Sequence, residues 1–358
     1  MMKVVLNRQR FLEAFSLAAS ATDGRSKEVI GHVFLNAGHG VLEGTNGETS
    51  LCVHLGEPTN TSGAVLLNPQ RIGAILKESR SESVTIETEG SSLEVSTSEG
   101  SYELQTANAD AFPRMASIDA SSLDVPAKGL LRGLQRVDFA TDVDSTRYQL
   151  GGVNFVAIKD SLELVATDGR RMSYYALDTQ GGPEFQGIVP VRPMGLVKRS
   201  LDDCEGFVGV AMSNSSVEFR LGSVTIQTRL VEGRYPNWQS IIPVAEGIRF
   251  GFLAGPFLQA VKQAAITADQ ESRGVLFSFA DGTCRIAAKT ADIGQSNVSV
   301  LVEGSESIAL TMDHLFIRQW LQSLEPTENV EVFFKDPSRP SLWMAGDCKY
   351  VVMPMERK

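Results

Sequence analysis

The side chains that most often do chemistry are sparse in this sequence and poorly spaced for it. Four histidines, His32, His39, His54 and His314, stand alone. Four cysteines, Cys52, Cys204, Cys284 and Cys348, form no Cys-x-x-Cys pair. A zinc site needs such close pairs to gather four ligands, so buried reduced thiols are expected instead. Asp142-Val143-Asp144 opens like a calcium loop, whose alternate carboxylates meet one ion. Arg147 then stands where the loop's turn needs Gly, and no Glu closes it. Phosphate-cradling glycine loops, His-Glu-x-x-His and Gly-x-Ser-x-Gly are all absent. A hydrolase using Asp142, Asp144 and His314 is the enzymatic alternative, but no spacing nominates it. The expectation is a binding protein with no catalytic residue, cofactor or metal.

What remains is charge. Lys and Arg number 33 against 43 Asp and Glu, a net charge of −10 over 358 residues. That balance argues against a nucleic-acid partner, because duplex binding rests on neutralised phosphates. Its distribution argues otherwise. Six stretches have helical apolar spacing: residues 7–20, 68–79, 126–139, 190–201, 254–267 and 311–322. They carry twelve basic and four acidic residues, which leaves −18 for the rest of the chain. The basic ones include Arg8, Arg10, Arg71, Lys77, Lys128, Arg132, Arg136, Arg192, Lys198, Arg199 and Lys262. If the helices share a face, this is a basic surface on an acidic body. Few aromatics interleave with these charges, so the pattern fits sequence-independent contact with a duplex backbone rather than base stacking.

The elements that would position these charges recur. Each of three units opens with a helix: Phe11, Leu12 and Phe15, then Leu130, Leu131 and Leu134, then Phe257, Leu258 and Val261. A strand run ending in Thr follows, at Thr45, Thr167 and Thr290, spaced by 122 and 123 residues. A second helix and alternating strands close each unit, as in Val84, Ile86, Leu93 and Val95. The expected fold class is α+β, with three tandem domains of two helices packed on antiparallel sheets. The expected domains are 1–120, 121–246 and 247–358. No apolar run reaches the length of a membrane span, and the N-terminus lacks a secretion signal, so a cytoplasmic protein is expected.

Several strings are more specific. They are Tyr148-Gln149-Leu150-Gly151-Gly152, Ala166-Thr167-Asp168-Gly169-Arg170-Arg171-Met172, Gly233-Arg234-Tyr235-Pro236-Asn237-Trp238 and Tyr350-Val351-Val352-Met353-Pro354-Met355. In these, and in length and three-unit order, the chain resembles the bacterial DNA sliding clamps. The resemblance implies a processivity factor, a head-to-tail homodimer closed around double-stranded DNA. It implies an apolar groove that takes short peptides of the replicative polymerase, the clamp loader, other polymerases and repair proteins. The groove would use Arg147, Leu150, Thr167, Gly169, Arg170, Met172, Pro236, Ile241, Val351, Met353, Pro354 and Met355. Dimer contacts would map to Tyr102 and Leu104, meeting the region of Ile266. A DNA-contacting loop would lie around Arg25, although Arg25-Ser26-Lys27-Glu28-Val29-Ile30 lacks the family's Thr-Leu-Pro-Ile-Leu. The sequence also departs from the family at Ser240, where a basic residue is common, and at Glu356 in the tail.

Geometry agrees with a dimer. A 120-residue domain has a radius of gyration of about 14 Å, so three in contact leave a hole of about 3 Å radius and six leave about 17 Å. A duplex of about 10 Å radius passes only the larger hole. The alternative is a repeat-built scaffold that binds proteins without encircling DNA.

Overall fold

A computed structural model describes the chain except Met1, Arg25, Lys27, residues 57–60, Val143, Ser145, Thr146 and residues 356–358. The chain forms two compact units. One holds residues 1–128 and 192–230, the other residues 129–191 and 231–358.

Each unit contains one eight-stranded and one four-stranded sheet, and every pairing between named strands is antiparallel. In the first unit, strands Val33–Asn36, Val41–Thr45, Thr49–His54 and Ala64–Leu67 make half of the large sheet. The other half is Ser122–Pro126, Phe207–Met212, Ser216–Leu221 and Val224–Arg229. The halves join where Val53 faces Val224. In the second unit, Gly152–Ile158, Ser161–Thr167, Arg171–Asp178 and Phe185–Pro190 join Ile248–Leu253, Asn329–Phe334, Ser341–Ala345 and Cys348–Val352. There the seam sets Met172 opposite Val351 and Tyr175 opposite Cys348. The middle repeat therefore gives half of its strands to each unit.

Six α-helices are described: α1 (Arg8–Ala19), α2 (Pro69–Glu78), α3 (Ala127–Val137), α4 (Met194–Asp202), α5 (Ala254–Ala264) and α6 (His314–Gln322). Their apolar stripes enter the cores, as with Phe11 and Phe15 of α1 and Phe257 and Val261 of α5. Asn7, Asn68 and Asp313 cap α1, α2 and α6 by accepting backbone N–H bonds. Helix α4 begins at Met194 rather than at residue 190, which still belongs to a strand. Pro193 disfavours helical backbone at Arg192, so the helix starts beyond it. Among the described residues, no helix is long and apolar enough to cross a membrane.

The predicted threonines end equivalent strands, Val41–Thr45, Ser161–Thr167 and Thr283–Thr290. Two of the following turns share one design. Thr45 Oγ1 and Thr167 Oγ1 each accept the N–H of a glycine two residues on, Gly47 or Gly169, at 3.1 Å. Both glycines have φ near +88°, at 88° and 87°, which a side chain would strain. Thr290 instead donates to the Thr267 carbonyl at 2.8 Å.

Candidate functional site

The second unit holds the residues expected to line a groove, and two of them, Met172 and Val351, meet at its seam. Val165, Met172, Ile188, Tyr235, Trp238, Leu342 and Val351 form a buried cluster, with Tyr174, Val231, Ile242, Phe333 and Met344 packed against it. The tail runs out beside this cluster. Met353 N–H donates to the Arg170 carbonyl at 2.9 Å, and Met355 N–H to the Thr311 carbonyl at 2.8 Å. Met353 is 43% exposed and Ile241 45% exposed, so the buried floor has flexible and branched apolar groups near it that face water. Ile241 also lines a cavity of about 500 Å³ with Pro243, Val244, Phe333 and Pro340. Phe333 belongs to both the cavity and the cluster's outer layer, so the two adjoin.

The loop 167–171 is rigidly held. Asp168 Oδ1 accepts the N–H groups of Arg170 and Arg171, both at 2.9 Å. Arg171, buried, donates to Asp168 Oδ2 (2.9 Å), Gln319 Oε1 (2.5 Å) and the Phe139 carbonyl (2.8 Å). Its guanidinium lies 4.3 Å from the Phe316 ring centre. Thr167 Oγ1 closes the loop onto the Arg171 carbonyl at 2.6 Å. A Cβ on Gly169 would lie 3.4 Å from an Arg147 guanidinium nitrogen, so Arg147 packs against this loop. Leu150 is buried in the short turn that follows Arg147. Pro236 and Pro354 are half-buried, and Arg170 is exposed.

Sequence reasoning missed Arg171, Gln319 and Phe316. It also missed Tyr235 and Trp238, although their string was noted. Tyr235 donates to the Val165 carbonyl at 3.3 Å, and burial pushes its hydroxyl pKa well up, so it stays neutral. Both lie within two residues of Pro236 in that string, which was the available signal.

The basic residues divide. Arg10, Arg71, Lys77, Lys128, Arg132, Arg192, Arg199 and Lys262 are exposed, and Lys198 is half-buried. Arg10, Lys77 and Arg199 line one cavity of the first unit. Two expectations need correction. Arg136 is 5% exposed, pairs with Glu328, donates to the Ala345 carbonyl at 3.3 Å and stacks on Tyr175. It is an internal clasp, not a surface cation. Arg8 donates to the carbonyls of Ser81 (2.8 Å) and Leu76 (2.9 Å), so its guanidinium caps the end of α2. Arg25 lies outside the described residues.

The four-stranded sheets leave open edges. Tyr102 is 43% exposed and Leu104 half-buried on the edge strand Ser101–Gln105. In the second unit, Gly294–Leu301 is an edge strand whose Leu301 is 81% exposed, and Ile266 is 75% exposed just after α5. Among the described residues, no cluster of His, Cys, Asp or Glu could hold a metal ion.

Comparison with known proteins decides the family. Residues 2–116, 124–237 and 239–356 match, in order, the N-terminal, central and C-terminal domain families of the DNA polymerase III beta subunit. The chain belongs to this family. It is 26% identical to the beta sliding clamp of Synechococcus elongatus over 99% of both chains. It is 28% identical to that of Treponema pallidum over 66% of either chain. A solved sliding clamp of Pseudomonas aeruginosa, bound to griselimycin, superposes with a TM-score of 0.93, at 24% identity over 99% of this chain and 100% of that one. The chain's function is that of the family, a processivity factor of DNA replication, and the ring-shaped dimer is the family's arrangement. Sliding clamps are non-catalytic.

Proposed function

We propose that two copies of this chain close head to tail around duplex DNA by joining the open edges Ser101–Gln105 and Gly294–Leu301. The observation that carries this reading is the pair of exposed, apolar-bearing strand edges, one in each unit. Unpaired edges present backbone donors and acceptors that a second chain satisfies, and a head-to-tail contact closes when its rotation fits. Three domains, 1–120, 121–246 and 247–358, make up each half-ring; the three matched family spans support their number and order, the third span beginning at residue 239.

In the same reading, the exposed cations Arg10, Arg71, Lys77, Lys128, Arg132, Arg192, Arg199 and Lys262 meet phosphates, with Lys198 and Arg25 completing the set. Contacts of this kind are sequence-independent and leave the ring free to slide. The groove around Met172, Val351, Met353 and Ile241 takes apolar partner peptides. Met353 adapts its shape to different side chains at little cost. Tethering then raises the polymerase's effective concentration at the primer end. The chain itself catalyses nothing and works in the cytoplasm.

The test is topological. Protein loaded on nicked circular DNA is expected to stay bound through gel filtration and to leave once the circle is linearised. Equal retention on both forms overturns encirclement and favours a scaffold.

A further inference from the structure

The first unit contains a half-open cleft beside its seam, where the second unit carries bulkier side chains. The two large sheets have the same strand order, so their positions correspond. At the seams, Val53 opposite Val224 corresponds to Tyr175 opposite Cys348. The turns at Gly222 and Gly346, with φ of 64° and 54°, correspond as well. Helices α4 and α6 are both nine residues long, and their buried positions match: Val197 with Ile317 and Leu201 with Leu321. Ser200 thus stands where the second unit has Trp320.

Trp320 is fully buried, stacked on Tyr350 with ring centres 5.3 Å apart, and edge-on to Trp343. In the first unit a serine stands there, Val53 stands for Tyr175, and Leu17 of α1 stands for Arg136 of α3. A cavity of about 660 Å³ results, lined by Leu17, Val53, Ser200 and Val224. That volume is within the range of small-molecule sites. Ser200 is 7% exposed, and its Oγ has no hydrogen-bond partner among the described residues. An orphaned buried hydroxyl is rare and asks for one. Three exposed cations, Arg10, Lys77 and Arg199, line the same cavity, and none makes an ion pair with a described residue. Of its two carboxylates, Glu13 is engaged by Gln9 Nε2 at 2.8 Å, and the other is Asp203.

We propose that this cavity binds a nucleoside monophosphate. The flat ring lies against Leu17, Val53 and Val224, Ser200 Oγ bonds the ring's polar edge, and the phosphate rests on Arg10, Lys77 and Arg199. Both halves are needed, because apolar walls favour the ring and only the cations favour the anion. This site is separate from the peptide groove and does not depend on ring closure.

Calorimetric titration of the full-length, DNA-free protein with AMP tests it, with adenosine and inorganic phosphate as controls. AMP is expected to bind saturably, and each control at least about tenfold more weakly. Ser200→Trp, which copies the second unit, is expected to abolish AMP binding with the dimer mass unchanged. Arg199→Glu, a surface change that spares the fold, is expected to weaken AMP about tenfold and leave adenosine unaffected. Absence of saturable AMP binding at millimolar concentration overturns the proposal. So does phosphate binding as tightly as AMP, or AMP binding that survives both variants.

Discussion

At the scale of single residues, the lesson is that residue type did not reveal which way an arginine points. Arg132 and Arg136 lie one turn apart on α3, yet one is exposed and the other is clasped by Glu328. Removing one partner of a buried pair leaves an uncompensated charge, at a cost of about 3–5 kcal/mol. Glu328 is 28% exposed, so Arg136→Ala is expected near the lower end, about 3 kcal/mol by urea unfolding. Lys128→Ala, at an exposed site, should change stability by less than about 0.5 kcal/mol. His314 gives a pH signature. Burial lowers its pKa from the ordinary 6.5, opposed by Asp313 and aided by Arg318 and Arg273. Below about 6.5 the unfolded chain takes a proton that the folded chain resists, so this contribution to stability falls as pH drops through that window. His314→Gln should flatten the slope of the unfolding midpoint between about pH 7 and pH 5. An unchanged slope would assign the pH dependence to other groups.

At the scale of elements, the Thr-x-Gly turns separate local from tertiary cause. Thr45-Asn46-Gly47 and Thr167-Asp168-Gly169 fold alike, because each Thr hydroxyl and Asx side chain satisfies the turn's own N–H groups. The string Ala-Thr-Asp-Gly was therefore readable as a turn. What distinguishes the second turn is the chain at Met353 beside it and the Gln319 and Phe316 partners of Arg171, which come from distant sequence. Arg171→Ala should loosen the loop and weaken partner-peptide binding, whereas Met353→Ser should weaken it about tenfold by lost apolar contact alone. Fluorescence titration with a labelled polymerase peptide, alongside thermal melts, distinguishes them: only Arg171→Ala should also lower the melting temperature. The open strands carry their own prediction. A paired Ile266→Asp and Leu301→Asp change places carboxylates on the proposed seam. Sedimentation should then show a 38.8 kDa monomer in place of the dimer, and an unaltered dimer would place the seam elsewhere.

At the scale of the whole molecule, three repeats in sequence become two units in space. The middle repeat supplies one half of each eight-stranded sheet, and each half is completed by a different neighbour. Residues 121–246 expressed alone would expose two inner strands, Arg171–Asp178 and Val224–Arg229, as new edges. Such a fragment is expected to aggregate or to give a poorly dispersed amide spectrum, and a well-dispersed one would show that the repeat folds independently. The sequence by itself determined the repeat, the two helices per repeat, the alternating strands and the charge partition, because periodicity and capping act over a few residues. Only the tertiary structure decided that Arg136 is internal, that Arg8 caps α2, that Arg171 holds the 167–171 loop, and that Ser200 lines a cavity while Trp320 is fully buried. Those outcomes depend on which distant strand or helix completes a surface, and pairing across a seam such as Met172–Val351 joins residues nearly 180 positions apart.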